Sequence, residues 1–191
     1  LDVVLTSVVL ALEELIDGAR CSILLLDPVT ATLHHGAAPT LPASYAGAID
    51  GMRIGPHEGS CGSAAYLGIP VIADDITTDP RWQGFRDIAM PYGLRSCWST
   101  PIRGRTQTTG TFAVYHDCVH QPSPRERRLV ERFTHLSSVA IDHAALFGAL
   151  AESEERFRHA FEDSAAGMAL TDLKGRFVKV NRALCDMLHR S

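Results

Sequence analysis

Residues 59–102 read GSCGSAAYLGIPVIADDITTDPRWQGFRDIAMPYGLRSCWSTPI, and this run decides the fold. It opens on small residues around Cys61, where Ser60 is a candidate cap for a helix over Cys61–Leu67 that Gly68 closes. Pro70–Ile76 predicts a strand that delivers the acidic pair Asp74 and Asp75. Asp79 is suited to cap a helix with Pro80 at its first position, so Arg81–Tyr92 predicts a helix ended by Gly93. Ser96–Ile102, with Cys97 and Trp98, and Thr109–His116 predict two strands joined by a turn at residues 104–108.

Upstream, Leu1, Leu5, Val8, Leu12 and Leu15 follow a 4-3-4-3 spacing, one stripe of a helix suited to packing on another helix. After Asp17-Gly18, Cys21–Leu26 predicts a buried strand, residues 27–30 a turn, and Thr32–Ala37 the returning strand. Pro42–Ile49 predicts a short helix, followed by a loop with Gly51, Gly55 and Gly59.

Downstream, Ser123-Pro124-Arg125-Glu126 forms a capping-box signature. Behind it Leu129, Phe133, Leu136, Ala140, His143, Phe147 and Leu150 keep the heptad spacing, predicting a long helix over residues 125–158. From Ser153 the pattern changes. Phe157–Phe161 is helical, Met168–Thr171 and Phe177–Val180 predict a hairpin around residues 172–175, and Asn181 caps a helix over Arg182–His189. Roughly 40 residues bury too little surface for a core of their own, so this stretch reads as the first part of a second domain. The expected class is α+β, with a first domain over residues 1–150 and a second segment at 153–191.

The totals fit a soluble globular protein, with 46% apolar and 21% charged residues. A net charge of −4 gives no general attraction to nucleic acid, and the basic run 125–132 also carries Glu126 and Glu131. No apolar run approaches the ~20 residues of a membrane span, and Leu1–Leu10 lacks the marks of a signal peptide. The start at Leu1 suits a segment of a longer polypeptide. Five cysteines at wide spacing show neither a disulfide framework nor a zinc pattern, which points to free thiols in a reducing cytoplasm.

As a pattern of elements, residues 1–150 resemble a GAF domain. The resemblance is carried by Ala19–Asp27, Gly59–Ala65, Pro70–Thr78 and Gly93–Ile102. It implies a central antiparallel sheet flanked by helices, with a small-molecule pocket on one face. Residues 153–191 resemble the opening of a PAS domain through Glu155–Phe157, Ala166–Asp172, Gly175–Phe177 and Val180–Cys185. Such tandems resemble the sensory halves of bacterial signalling proteins, either cyclic di-GMP enzymes or histidine kinases.

The chemistries known among GAF-like domains each demand particular residues. Cyclic-nucleotide-binding members carry an Asn-Lys…Phe…Asp-Glu pattern, whereas the only asparagine here is Asn181, outside that segment. Bilin-binding members attach the chromophore through a cysteine usually followed by histidine, and no cysteine here precedes one. Cys61 resembles the supporting cysteine of free methionine sulfoxide reductases, but Met90 stands where the family has its nucleophile. A thioether forms no thiolate to attack sulfoxide sulfur.

The candidate pocket residues are Cys61, Asp74, Asp75, Trp82, Phe85, Tyr92, Cys97 and Trp98. Cys61 reads either as a redox-sensing thiol at a helix start or as a small residue that permits close packing. The acidic pair reads either as pocket wall or as a turn at a strand end. His116, Cys118 and His120 alternate and offer nitrogen and sulfur donors, yet at a strand end beside Pro122 such side chains ordinarily meet water, so no metal ligands are assigned. With nine histidines haem stays open, and the cofactor is unknown.

The expected function is a non-catalytic sensory and dimerisation module. The expected homodimer seam comprises Leu5, Val8, Leu12, Leu129, Phe133, Leu136, Ala140, His143, Phe147 and Leu150. The signal would pass to an output domain further along the polypeptide, with no nucleic-acid or membrane partner. A thiol-dependent reductase and a haem or metal gas sensor are the alternatives.

Overall fold

The computed structural model describes residues 1–188. The chain divides into two compact units, the first Leu1–His143 and the second from Ala144 onward. The first is built on a six-stranded antiparallel sheet in the order β3-β2-β1-β6-β5-β4. Its strands are β1 (Arg20–Asp27), β2 (Thr32–Ala37), β3 (Met52–Arg53), β4 (Val71–Ala73), β5 (Ser96–Arg103) and β6 (Thr108–His116). Helices α1 (Asp2–Glu13), α2 (Ala43–Ile49), α3 (Gly59–Leu67), α4 (Arg86–Ala89) and the long α5 (Pro124–Glu162) accompany it. This is the expected α+β class.

The sheet is buried on both faces, so its central strands carry near-continuous apolar runs. Successive side chains still point to opposite faces, which sorts them into two cores. Leu24, Cys97, Ala113 and Tyr115 lie in one, with α2, α3 and the segment around Trp82. Cys21, Ile23, Trp98, Ile102, Phe112 and Val114 lie in the other, with α1 and the start of α5.

The N-terminal stripe is spent on this second core. Leu5 and Leu12 are fully buried, and Val9 and Ile16 complete the face in place of Val8 and Leu15. Val8 packs at its edge and Leu15 is exposed. Leu5 and Leu12 are therefore not available to a second chain, which corrects their place in the expected seam. A helix lying on a sheet buries a broader stripe than a coiled-coil seam does, and that shifts which apolar residues turn inward.

Other expectations change in detail. Ser60 lies inside α3, whose cap position is Glu58, and its hydroxyl is used elsewhere. Gly68 and Gly93 end their segments in the left-handed conformation, at φ 67° and 70°. The strand expected over Pro70–Ile76 stops at Ala73, because Asp75 turns the chain: its carboxylate accepts from Thr77 N–H and the Thr77 hydroxyl. Asp79 does cap Pro80–Trp82, accepting from Arg81 N–H. That turn is 3₁₀, and the expected single helix over Arg81–Tyr92 is broken into Pro80–Trp82, α4 and Met90–Tyr92, with Pro91 in the last piece.

The capping box at α5 forms both ways, with Ser123 N–H donating to Glu126 Oε2 at 2.6 Å and Glu126 N–H to Ser123 Oγ at 3.3 Å. The helix runs on to Glu162, past the expected end.

The second unit holds the remainder of α5, the hairpin β7 (Ala169–Thr171) and β8 (Phe177–Val180), and α6 (Arg182–Leu188). His189, where α6 was expected to end, lies outside the described residues. Among the described residues of this unit only Phe161 and Asn181 are buried. Asn181 caps α6 through Leu184 N–H, accepts from Met168 N–H, and donates to the carbonyls of Phe161 and Ala166. One amide thus ties the hairpin to both flanking helices.

Leu12→Ala removes a fully buried side chain from the α1 face and is expected to destabilise the first unit by about 2–5 kcal/mol. Urea unfolding followed by Trp fluorescence measures this, and a loss under ~1 kcal/mol would contradict the packing of α1 on the sheet.

Candidate functional site

The site grows from the pairing of β5 and β6. Cys97 lies opposite Tyr115 and Ser99 opposite Ala113, and Cys97, Ser99, Thr111, Ala113 and Tyr115 share one face. Helix α3 crosses that face with its small residues inward, and Gly59 through Ala65 are all buried. Small side chains let the helix backbone approach the strands closely. This brings Cys61 Sγ to 3.7 Å from the Tyr115 hydroxyl. Ser60 spans the same gap, donating to Cys97 O at 3.1 Å and accepting from the Trp82 indole N–H at 3.0 Å.

Around these groups lies a small cavity of about 10 Å³, room for one water. Of the expected pocket residues, Cys61, Trp82 and Phe85 line it. Cys97 lies beneath Cys61. Tyr92 packs on the edge of Tyr45 at 5.9 Å, one layer away. Trp98 is not in this pocket: as the neighbour of Cys97 on a strand it faces the opposite core. Asp74 is exposed and Asp75 makes a turn and pairs with Arg95 at 3.1 Å, so the turn reading of the acidic pair holds.

The sequence reading missed Tyr45, Ile49, Met52 and Tyr115, which complete the lining. Tyr115 was findable, since Cys97 and Tyr115 sit on adjacent strands of one hairpin. Tyr45 arrives from α2 through tertiary packing and leaves no local signal.

The site's electrostatics centre on Cys61. A hydrogen bond from the Cys97 thiol is the strongest influence on it and favours the thiolate. Burial opposes this, and the hydroxyls of Ser99, Tyr115 and Thr111 add to the lowering, leaving Cys61 at about 7 against an ordinary 9.0. Ser99 Oγ and Thr111 Oγ1 are buried beside it without a geometric hydrogen-bond partner among the described residues, and the Tyr115 hydroxyl at 3.7 Å is its nearest polar contact. Burial and the neighbouring Cys61 push Cys97 well up, and burial does the same to Tyr115 and Tyr45. The cluster therefore sets one thiol with a lowered pKa among neutral polar side chains.

Met90 is 37% exposed and does not line the cavity. Among the described residues no histidine lines it either; His34 pairs with Asp50, and His35 on β2 donates through Nε2 to the Ala46 carbonyl of α2. Beyond β6 the expected alternation fails, because the strand ends at His116 and Cys118 is exposed.

Ultraviolet thiolate absorption of the folded chain is expected to rise with a midpoint about 7, and the rise should vanish in Cys61→Ser. A wild-type chain whose buried thiols titrate only above the ordinary thiol value would refute the hydrogen-bonded assignment.

Comparison with known proteins accords with this architecture. Residues 1–142 match the GAF domain family and residues 155–191 the PAS domain family. A methyl sulfide methyltransferase-associated sensor from Methanosarcina acetivorans is 33% identical over 190 residues; the match takes in 98% of this chain but 19% of the relative. A domain of a protein described as a two-component sensor histidine kinase, from Sinorhizobium meliloti, superimposes with a TM-score of 0.63 at 18% identity, covering 75% of this chain and 91% of that one. The reduced form of fRMsr, the free methionine sulfoxide reductase, from Staphylococcus aureus superimposes at 0.57 with 18% identity, covering 70% and 79%. These structural likenesses concern the fold. With residues 1–142 inside the first match and a PAS-type segment behind them, the chain belongs to the GAF domain family.

Proposed function

We propose that the chain is a non-catalytic sensory and dimerisation module of a cytoplasmic signalling protein. A small ligand or a redox change at the Cys61 pocket is its input. A shift of α5 carries the signal through the PAS-type segment to an output domain in the same polypeptide. The observation that carries this reading is the buried Cys61 thiol, 3.7 Å from the Tyr115 hydroxyl and lining a small cavity with Trp82 and Phe85. A cavity of about 10 Å³ admits no organic molecule, so a ligand enters only by moving those aromatic walls. That coupling of occupancy to movement is what a sensor needs. The kinship with a protein named as a sensor supports the same reading.

Dimerisation rests on α5. Leu129 and Phe133 are half-buried against the chain's own core, while Leu136, Phe147 and Leu150 are 52%, 68% and 63% exposed. The later part of the heptad seam is thus the surface offered to a second copy. Among the described residues no helix is long and apolar enough to cross a membrane.

The second reading, a thiol-dependent methionine sulfoxide reductase, is favoured by the low value of Cys61 and opposed by Met90 in the nucleophile's place. Turnover of free methionine sulfoxide with a thiol reductant, lost in Cys61→Ser, would establish it over the first. No turnover by the intact chain removes it.

Native mass spectrometry with an absorption spectrum tests the sensory reading, with a dimer and either a retained small molecule or a mass change on mild oxidation expected. The paired substitution Leu136→Glu with Leu150→Glu should leave a monomer in sedimentation at micromolar concentration. A wild-type chain that is already monomeric there would sink the dimer.

A further inference from the structure

At the far end of β6 from the hairpin turn, the chain gathers three groups that the Cys61 pocket does not use. His116 ends the strand, His120 follows in the loop, and Glu126 stands in the first turn of α5. One donor atom from each lies within 4.8 Å of the others. The two imidazoles stack, with centroids 3.9 Å apart and planes at 26°. His120 Nε2 meets Glu126 Oε1 at 3.0 Å.

Each group is held in place by the backbone or by a neighbour. Arg95 N–H donates to the His116 carbonyl, and His120 N–H donates to the Asp74 carbonyl. Glu126 Oε2 accepts from Ser123 N–H, which fixes the carboxylate and leaves Oε1 directed at the histidines. His116 is 6% exposed, and its Nε2 has no hydrogen-bond partner among the described residues. A buried imidazole nitrogen without a partner is costly unless something else uses its lone pair. A cavity of about 310 Å³ adjoins the group, walled by His120 and Glu126 together with Asp17 and Arg125.

We propose that His116, His120 and Glu126 form a binding site for a divalent transition-metal ion of the zinc type, joining the end of the sheet to the first turn of α5. Two imidazoles and a carboxylate are a donor set that zinc accepts, with a fourth position left open toward the cavity. The His-x₃-His spacing is one that zinc sites use. Cys118, which alternates with these histidines in sequence, is not a ligand. The ion takes the place of the proton shared by His120 and Glu126. Bonds of about 2.1 Å bring such donors to roughly 3.4 Å apart, so His120 closes the remainder by turning its side chain. Ser123 N–H serves as the outer contact that orients the ligating carboxylate. This site shares no residue with the Cys61 pocket.

Calorimetric titration of the metal-stripped full chain with zinc tests the site. One saturating equivalent is expected, with a rise in the thermal unfolding midpoint. His120→Ala and Glu126→Gln should each weaken binding about tenfold or more with far-ultraviolet circular dichroism unchanged. Both substitutions act at partly exposed positions, and the glutamine keeps the capping-box geometry, so neither is expected to unfold the chain. Cys118→Ser and Cys61→Ser should bind zinc as the wild type does. Absence of stoichiometric binding by the wild type, unchanged affinity in both ligand variants, or loss of binding in either cysteine variant would overturn the proposal.

Discussion

The antiparallel pairing of β5 with β6 is the constraint on which the rest depends. Residues Ser96–Arg103 run against Thr108–His116, and the alternation along them assigns every side chain to one of two cores. Cys97 and Trp98 are neighbours in sequence and strangers in space. One belongs to the thiol cluster under α3, the other to the packing beneath α1 and α5. A one-residue slip of this register would exchange the two sets and dismantle both cores at once.

The same pairing explains why a thiol with a lowered value coexists with deep burial. Desolvation alone drives a buried cysteine upward, as it does at Cys21 and Cys97. Cys61 is instead lowered because the sheet sets polar side chains around it in alternating positions of two adjacent strands: Cys97 and Ser99 on one, Thr111 and Tyr115 on the other, with the Tyr115 hydroxyl 3.7 Å from its sulfur. Small residues along α3 make the approach possible. Chemistry and packing at this site therefore have one origin, and the two readings of Cys61, sensitive thiol and close-packing residue, describe the same geometry.

Most of the fold was legible in the sequence because its signals are local. The capping box at Ser123, the stops at Gly68 and Gly93, the Asp79 cap and the hairpins all depend on residues a few positions apart. The site was legible in part. Cys61, Trp82 and Phe85 were expected at the pocket and line it, whereas Trp98 was misplaced by ignoring strand alternation, and of the two readings of Asp74-Asp75 only the turn, which Thr77 closes, is found. Tyr45, His116 beside Glu126, and the burial of Leu5 and Leu12 depend on contacts between distant segments. Nothing in the local spacing distinguishes a stripe that packs on its own sheet from one that awaits a partner.

The Ser60 hydroxyl has a consequence for selectivity. It holds the Trp82 indole N–H at 3.0 Å, and the indole forms part of the wall that any entering molecule must displace. Moving the ring aside strips that N–H of its acceptor in a dry setting, a loss of about 1–3 kcal/mol. A guest carrying an oxygen or nitrogen lone pair restores the bond, and a pure hydrocarbon does not. On the proposed sensory reading, the threshold of the pocket would thus screen for hydrogen-bond acceptors before shape is consulted at all.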